Sequence, residues 1–548
     1  MFNKITSADD TRRSLSKGVS IIADAIRTTL GPSGRNVIIR RGRGVPHITK
    51  DGVTVAKAIT LKDPGEEAGA RLVKEVALKA ASDAGDGTTT ATILADAIYQ
   101  NGIKHVAQGA NAIHIQRGIA IGAEMVIAEL GKMSIPVTTQ EMAAHVALVS
   151  SNWDEEVGGV VSQAIGSVGL GGIVTVEGSD DATTSLLQRQ GFSFERGWVH
   201  ANFSFIDGEE RASVQYGDAL VIITDAKLQT MAELMFLMNA LIPLKRPIVI
   251  IADDIAGDAL AALVLNHRKQ NLGCFMAVRA PGFGKDRVAW LHDLAAACEC
   301  QVLSDSHGVP WKDLHNQSKA EVAKAFQKVT GEASLVVTAE STMIVSVTEE
   351  PRPVLAAHIH NLRKAVESES SEYKKGELMD RLARIEGKVA LIRVGGSSEP
   401  DVMEKIDRFD DALAATRAAI EEGVVPGGGA ALLHAVHHAK KTLANGLVGN
   451  EASDADILTG IKILFDAAQA PFNQLALNCG TERASYIAAN IENSADSVGF
   501  DFVEGIQCDL TERGIIDPVK VTRVALNAAA SIAGLLLTTE VMITDDAD

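Results

Sequence analysis

Apolar residues recur at three- and four-residue steps through RRSLSKGVSIIADAIRTTL, EEAGARLVKEVALKAASDAG and TTTATILADAIYQNGIKHVAQG. That period sets one face of a helix against a core. Residues 1–133 are therefore predicted to be mostly helical, with one β-like insert, NVIIRRGRGVPHITKDGVTVAKAI, between the first two helices. The texture changes over residues 191–389. There the β-branched runs ALVIITD, PIVIIAD, CFMAVRA and LVVTA alternate with amphipathic stretches such as MAELMFLMNALI and DALAALVLNHRKQ, the pattern of an α/β domain. From about residue 405 Ala-rich helical periods return in DDALAATRAAIEEG, DILTGIKILFDAAQAPFNQLALNCG and VTRVALNAAASIAGLLLTTE. The pattern predicts an α/β domain inserted into a helical one built from both ends of the chain. The polar stretch 367–384 reads as a solvated helix with its lead-in.

Composition sharpens this picture. A chain of 548 residues exceeds a single core and suggests about three domains. Aromatics are only 4%, so the cores are built from Ala, Val, Ile and Leu. The 70 acidic residues outnumber 52 basic ones, a net of −18, and no segregated basic patch offers a grip on nucleic acid. Five scattered cysteines argue against a disulfide framework and for a reducing compartment. Cys298 and Cys300 form a C-x-C pair without partners for a zinc site, and read as small apolar residues at a helix-to-strand junction. The N-terminus lacks an apolar secretion signal and no run of 18 apolar residues occurs, so a cytoplasmic protein without membrane contact is expected.

Candidate chemistry begins at Gly85-Asp86-Gly87-Thr88-Thr89-Thr90, between two helical periods. Glycines allow a ligand close to the backbone, and free N–H groups at a helix start favour an anion. A carboxylate there would repel phosphate unless a cation intervened, so Asp86 reads as a Mg²⁺ ligand. An ordinary helix start capped by Asp86 and Thr88 explains the segment equally well on local physics. No G-x-x-x-x-G-K-[ST] occurs, which excludes a P-loop. Thr29-Leu30-Gly31-Pro32, Thr49-Lys50-Asp51-Gly52 and Gly427-Gly428-Gly429 are weaker signals of the same kind.

TLGPSGRN, ITKDGVTVAK, GDGTTTAT, APGFG, DDALAATRAAIEEGVVPGGGAAL and GIIDPVKVTRVALNAAASIAGLLLTTE, in that order from residue 28 to 540, resemble the signatures of the group I chaperonin (GroEL) family. The resemblance implies a multidomain α and α/β protein: a mostly helical equatorial ATP-binding domain (1–133 and 422–548), a small α/β intermediate hinge domain (134–190 and 390–421) and an inserted α/β apical domain (191–389). It implies an ATPase with ATP, Mg²⁺ and K⁺. Thr29, Leu30, Gly31 and Pro32 would line the nucleotide pocket. Asp86, Gly87, Thr88, Thr89 and Thr90 would hold phosphates and Mg²⁺, and Thr29, Lys50 and Thr89 match a K⁺ site. Val149, Ser150, Gly428 and Asp517 would contact adenosine. Asp51 and Asp411 remain for catalysis, although Asp410 and Asp411, read as opening the helix DALAATRAAIEEG, could also cap it.

The same resemblance implies partners: non-native polypeptides, copies of the chain in a seven-membered ring with an Arg196–Glu399 contact between subunits, and a lid co-chaperonin. Clients would meet Trp198, Phe203, Met235, Met238, Leu260, Val264 and Leu265. Methionine is flexible and suits promiscuous capture. The chain departs from the family at Asn202, where an aromatic is usual, at Lys388 in an upper hinge, at Asp501-Phe502-Val503 beside the adenine, and in lacking a Gly-Gly-Met tail. A scaffold that keeps the ATPase but not folding is the second reading, and a small-molecule kinase the third. The matching aspartates and groove positions favour the chaperone over the scaffold, and no acceptor constellation supports the kinase.

Overall fold

The computed structural model describes residues 3–40, 47–151, 153–169, 173–179, 181–194, 196–206, 209–211, 213–231, 234, 238, 241, 244–269, 275–282, 284–306, 308–310, 326, 328–339, 342–345, 353–369, 371–385, 387–444 and 454–545. Two compact units divide the chain: Met1–Gly166, Val176–Ser185 and Ile392–Asp548 form the first, Ser167–Thr175 and Leu186–Leu391 the second. The residues assigned to an intermediate domain fall mostly within the first unit.

The first unit is a helical bundle around Val519–Thr538. This helix packs on Pro64–Ala84, Thr88–Ala107 and Ala112–Met133. It is long and apolar enough to cross a membrane, yet 67% of its most apolar window is buried among these neighbours, as a core helix is. Tyr99, Ile22, Ile98, Ile119 and Leu464 lie in this core without exposure, and each such side chain stabilises by about 1.5–3 kcal/mol. The chain ends meet: Asn3–Ser7 pairs antiparallel with Val541–Asp545.

Three sequence expectations need correction here. The insert after Asn36 forms two short strands, Val37–Ile39 and His47–Thr49, but its tail is the helix Gly52–Ala58 rather than β. Its Val and Thr residues suggest a strand, whereas Asp51 caps the segment, accepting from the N–H groups of Val53 (3.0 Å) and Thr54 (2.7 Å). The helix bearing Asp411 runs from Glu399 to Glu422, with Ser398 at its N-cap and a proline in its first turn. Asp410 and Asp411 are therefore mid-helix and cap nothing. The period over 456–480 breaks into Ala455–Ala467 and Ala470–Asn478, the second opened by Pro471.

The second unit is α/β. Its strands run in the order Phe275–Arg279, Ile248–Ala252, Ser213–Ile223, Thr330–Thr338, Thr342–Val345 and Ser185–Phe194. The first three are parallel and the rest join antiparallel. Ile248–Ala252 is buried at every position, as a strand covered on both faces must be. Cys298 and Cys300 are buried just after the helix Gly284–Ala297. Asp293, 2% exposed, is held by Arg381 (2.6 and 2.9 Å) and His358 (2.7 Å), which ties the helices Pro353–Ser368 and Glu372–Ile385 to this unit's core.

Candidate active site

A cavity of about 430 Å³ opens in the first unit. Its walls bring together Thr29, Leu30, Gly31, Pro32, Lys50, Asp51, Asp86, Gly87, Thr88, Thr89, Thr90, Val149, Ser150, Asp411, Gly428 and Asp517, the whole of the expected nucleotide and catalytic set. These residues span nearly 500 positions of sequence, so only the fold unites them.

The helix Thr88–Ala107 forms one wall. Gly87 stands at its N-cap with φ 82°, a left-handed backbone that a side chain rarely adopts, and a Cβ there would meet Val521 at 2.6 Å. No described side chain caps this helix. Asp86 instead accepts from the Gly87 N–H (2.5 Å) and the Ser150 hydroxyl (2.9 Å). The helix start thus keeps N–H groups for an anion, which favours a ligand over the simple capped turn. Opposite it, a Cβ on Gly52 would lie 2.6 Å from the Thr88 hydroxyl and 2.8 Å from the Thr89 hydroxyl, so glycine is what lets the start of the helix Gly52–Ala58 approach. The Thr29 and Thr89 hydroxyls are 3.3 Å apart.

Carboxylates dominate the electrostatics. Burial raises the Asp86 carboxyl above its ordinary value, the Gly87 and Ser150 donors offset part of this, and Asp51 adds repulsion. Burial, then Asp86 and Asp51, then Asp407 and Asp410, push Asp411 well above the usual range. Asp407, one turn before Asp411, is raised to about 6 by burial and Asp51. Asp517 is raised to about 7 by burial and Asp86. Lys50 is the one cation among the described lining residues. Asp407 escaped the sequence reading. Its spacing of four from Asp411 was the available signal, hidden while the helix was thought to begin later.

The donor set fits Mg²⁺ with a triphosphate: oxygen ligands, an acidic cluster with Lys50 as the one described lining cation, and a glycine-cleared helix start. Asp51 has one hydrogen bond to each oxygen, and it serves as a positioned wall. No described residue donates to the Asp411 carboxylate. The helix that carries it is fixed by Arg408 to Asp154 (2.6 Å) and by Arg523 to Glu422 (2.5 and 2.9 Å).

Residues 22–547 match the TCP-1/cpn60 chaperonin family. The chain belongs to that family. Two crystal structures of the chaperonin gp146 from the bacteriophage EL 2 (Pseudomonas aeruginosa), both determined in the presence of ATP-BeFx, share its fold. Each is 23% identical and covers 99% of both chains, with TM-scores of 0.68 and 0.62. As a chaperonin, the protein is an ATP-dependent chaperone of multidomain, group I type.

The expected client residues of this chaperonin lie in its second unit and divide by exposure. Phe203 (0% exposed) and Met238 (4%) are core, a correction to the sequence reading. Phe203 packs edge-on to His267 at 5.3 Å, and Met238 joins Leu234 and Leu241 in the apolar core. Leu265 is 53% exposed, and Leu260, Val264 and Trp198 are partly buried against the core. Met235 and the side chains of Lys388 and Glu399 lie outside the described residues.

One stability prediction follows from Asp517. Its folded carboxyl is raised, so its contribution is full below the ordinary value of 3.8 and lost as pH rises through about 7. Without nucleotide, Asp517→Asn should melt near the wild-type temperature at about pH 4. At about pH 8 it should melt several degrees higher, a gain of roughly 2 kcal/mol after allowing for solvent in the cavity. Thermal scans at both pH values check this; an equal shift at both contradicts it.

Proposed function

We propose that this chaperonin is a Mg²⁺-dependent ATPase that assembles into a seven-membered ring of like subunits and folds non-native polypeptides. The carrying observation is the convergence of Asp86, the uncapped helix at Thr88, and Asp411 on one cavity. Bound Mg²⁺ would supply positive charge that offsets the phosphate oxygens. Asp86 holds that cation, the Thr88–Thr90 N–H groups and hydroxyls bind phosphate oxygens, and Lys50 adds positive charge. Thr29, Lys50 and Thr89 surround the proposed K⁺ position. Thr29–Pro32, Val149, Ser150, Gly428 and Asp517 hold the nucleoside. Asp411, whose carboxylate takes no hydrogen bond from a described residue, orients the attacking water and takes its proton, with Asp51 positioning the same water. The intermediate segments 134–190 and 390–421 act as the hinge, and a lid co-chaperonin closes the ring.

Self-association is supported by two isolated two-stranded ribbons in the first unit, each turning isoleucines to solvent while Val37, Ile39 and Met542 pack on the core. Ile38 and Ile48 are 67% and 49% exposed on one, and Ile5 and Ile543 are 68% and 64% exposed on the other. Such edges invite pairing with another chain.

Client capture is assigned to Leu260, Val264 and Leu265 on the helix Gly257–Lys269, whose inward Ala259 and Leu263 fix it to the core. Leu265→Ser combined with Val264→Ser should lower retention of a denatured client at least about tenfold while ATP turnover persists. Co-sedimentation of a urea-unfolded protein with the ring, alongside phosphate release, tests it. Undiminished retention would sink the groove assignment.

A further inference from the structure

The cavity has two chemically different ends. Asp86, Asp51 and Asp411 crowd the start of the Thr88 helix. Asp517 lies farther along, its Oδ1 3.1 Å from where a Cβ on Gly427 would stand. Beyond it, a Cβ on Gly428 would lie 3.6 Å from the Phe500 carbonyl oxygen and 3.7 Å from the Phe502 ring. Phe502 meets Phe472 and Phe500 with ring centroids 5.2 and 5.1 Å apart, so an aromatic wall closes this end.

The one charged side chain among the described residues of that wall is turned to its own loop. Asp501, 5% exposed, accepts from the N–H groups of Val503 (2.9 Å) and Glu504 (3.1 Å) through one oxygen and from Arg513 (2.8 Å) through the other. The remaining side chains there, Phe500, Phe502, Val503 and Ile515, are apolar. A nucleotide with its phosphates at the polar end must place its base against this wall.

We propose that Phe502 is a specificity-determining residue forming a base slot that holds nucleobases by stacking and puts no polar side chain on their edges. The chaperonin then takes nucleoside triphosphates with little discrimination between bases. Sites that hydrogen-bond a distinguishing group reject the analogue by about 10⁴-fold or more. Stacking on an aromatic ring is tolerant, because every base offers a π-face. The inference rests on the nucleotide reading of the cavity.

Equilibrium binding of ATP, ITP and GTP to the full-length protein with Mg²⁺, by calorimetry, tests it. The three dissociation constants should agree within about tenfold. Phe502→Ala should weaken all three by a similar factor, about tenfold, and Phe502→Leu, which keeps the apolar packing, should do the same. ITP or GTP bound about 100-fold more weakly than ATP overturns the slot but leaves the ATP site standing. Failure of every triphosphate to bind overturns both.

Discussion

Asp411→Ala should cut ATP turnover at saturating nucleotide by about 10²- to 10⁴-fold, the range of a positioned general base. Affinity for ATP should change little, because Asp411 is placed to act on water and not to hold the nucleotide. It should even tighten slightly: the carboxyl is raised by burial and by Asp86, Asp51, Asp407 and Asp410, so its removal relieves repulsion at the phosphate end. Single-turnover phosphate release, with nucleotide binding measured separately, separates the two effects. Turnover near that of the wild type would remove Asp411 from the chemistry and leave Asp51 as the remaining carboxylate.

The second large effect is expected at Asp86. Asp86→Ala deletes the proposed cation ligand and should weaken Mg²⁺-dependent ATP binding by on the order of 100-fold, abolishing hydrolysis at ordinary nucleotide levels. The nucleotide-free protein should become more stable, not less, since a buried carboxylate crowded by Asp51 is removed. The Ser150 hydroxyl loses its acceptor in this variant, which limits the gain. Calorimetric titration with and without Mg²⁺ checks the affinity, and a melting curve checks the stability. Unchanged Mg²⁺ dependence would place the cation elsewhere in the carboxylate cluster.

The proposed nucleotide cavity was legible because its parts carry local chemistry. GDGTTT, KDG and GGG need glycine for backbone reasons that the fold bears out: Gly87 has a left-handed φ and Gly52 clears space for two threonine hydroxyls. The α/β core was legible because fully buried strands such as Ile248–Ala252 are written as unbroken apolar runs. Helix starts were harder. Asp410 and Asp411 looked like caps because acidic residues favour first turns, but Ser398 and Pro400 set the real start and the helix simply continues through the aspartates. The proposed client surface was hardest. Phe203, Leu260 and Leu265 are equally apolar in sequence, and only packing decides that the first is core and the last faces water. The aromatic wall at Phe502 lay in a segment already recognised as a departure, but its closure by Phe472 and Phe500 depends on contacts across the fold.

A single refolding experiment bears most directly on the coupling between this cavity and folding. A chemically denatured client is diluted into the purified chaperonin with Mg²⁺, and native client is assayed with ATP, without nucleotide, and with ATP on the Asp411→Ala protein. The account predicts native client with ATP alone, and client held but not released productively in the other two arms. Equal recovery in all three arms would contradict it.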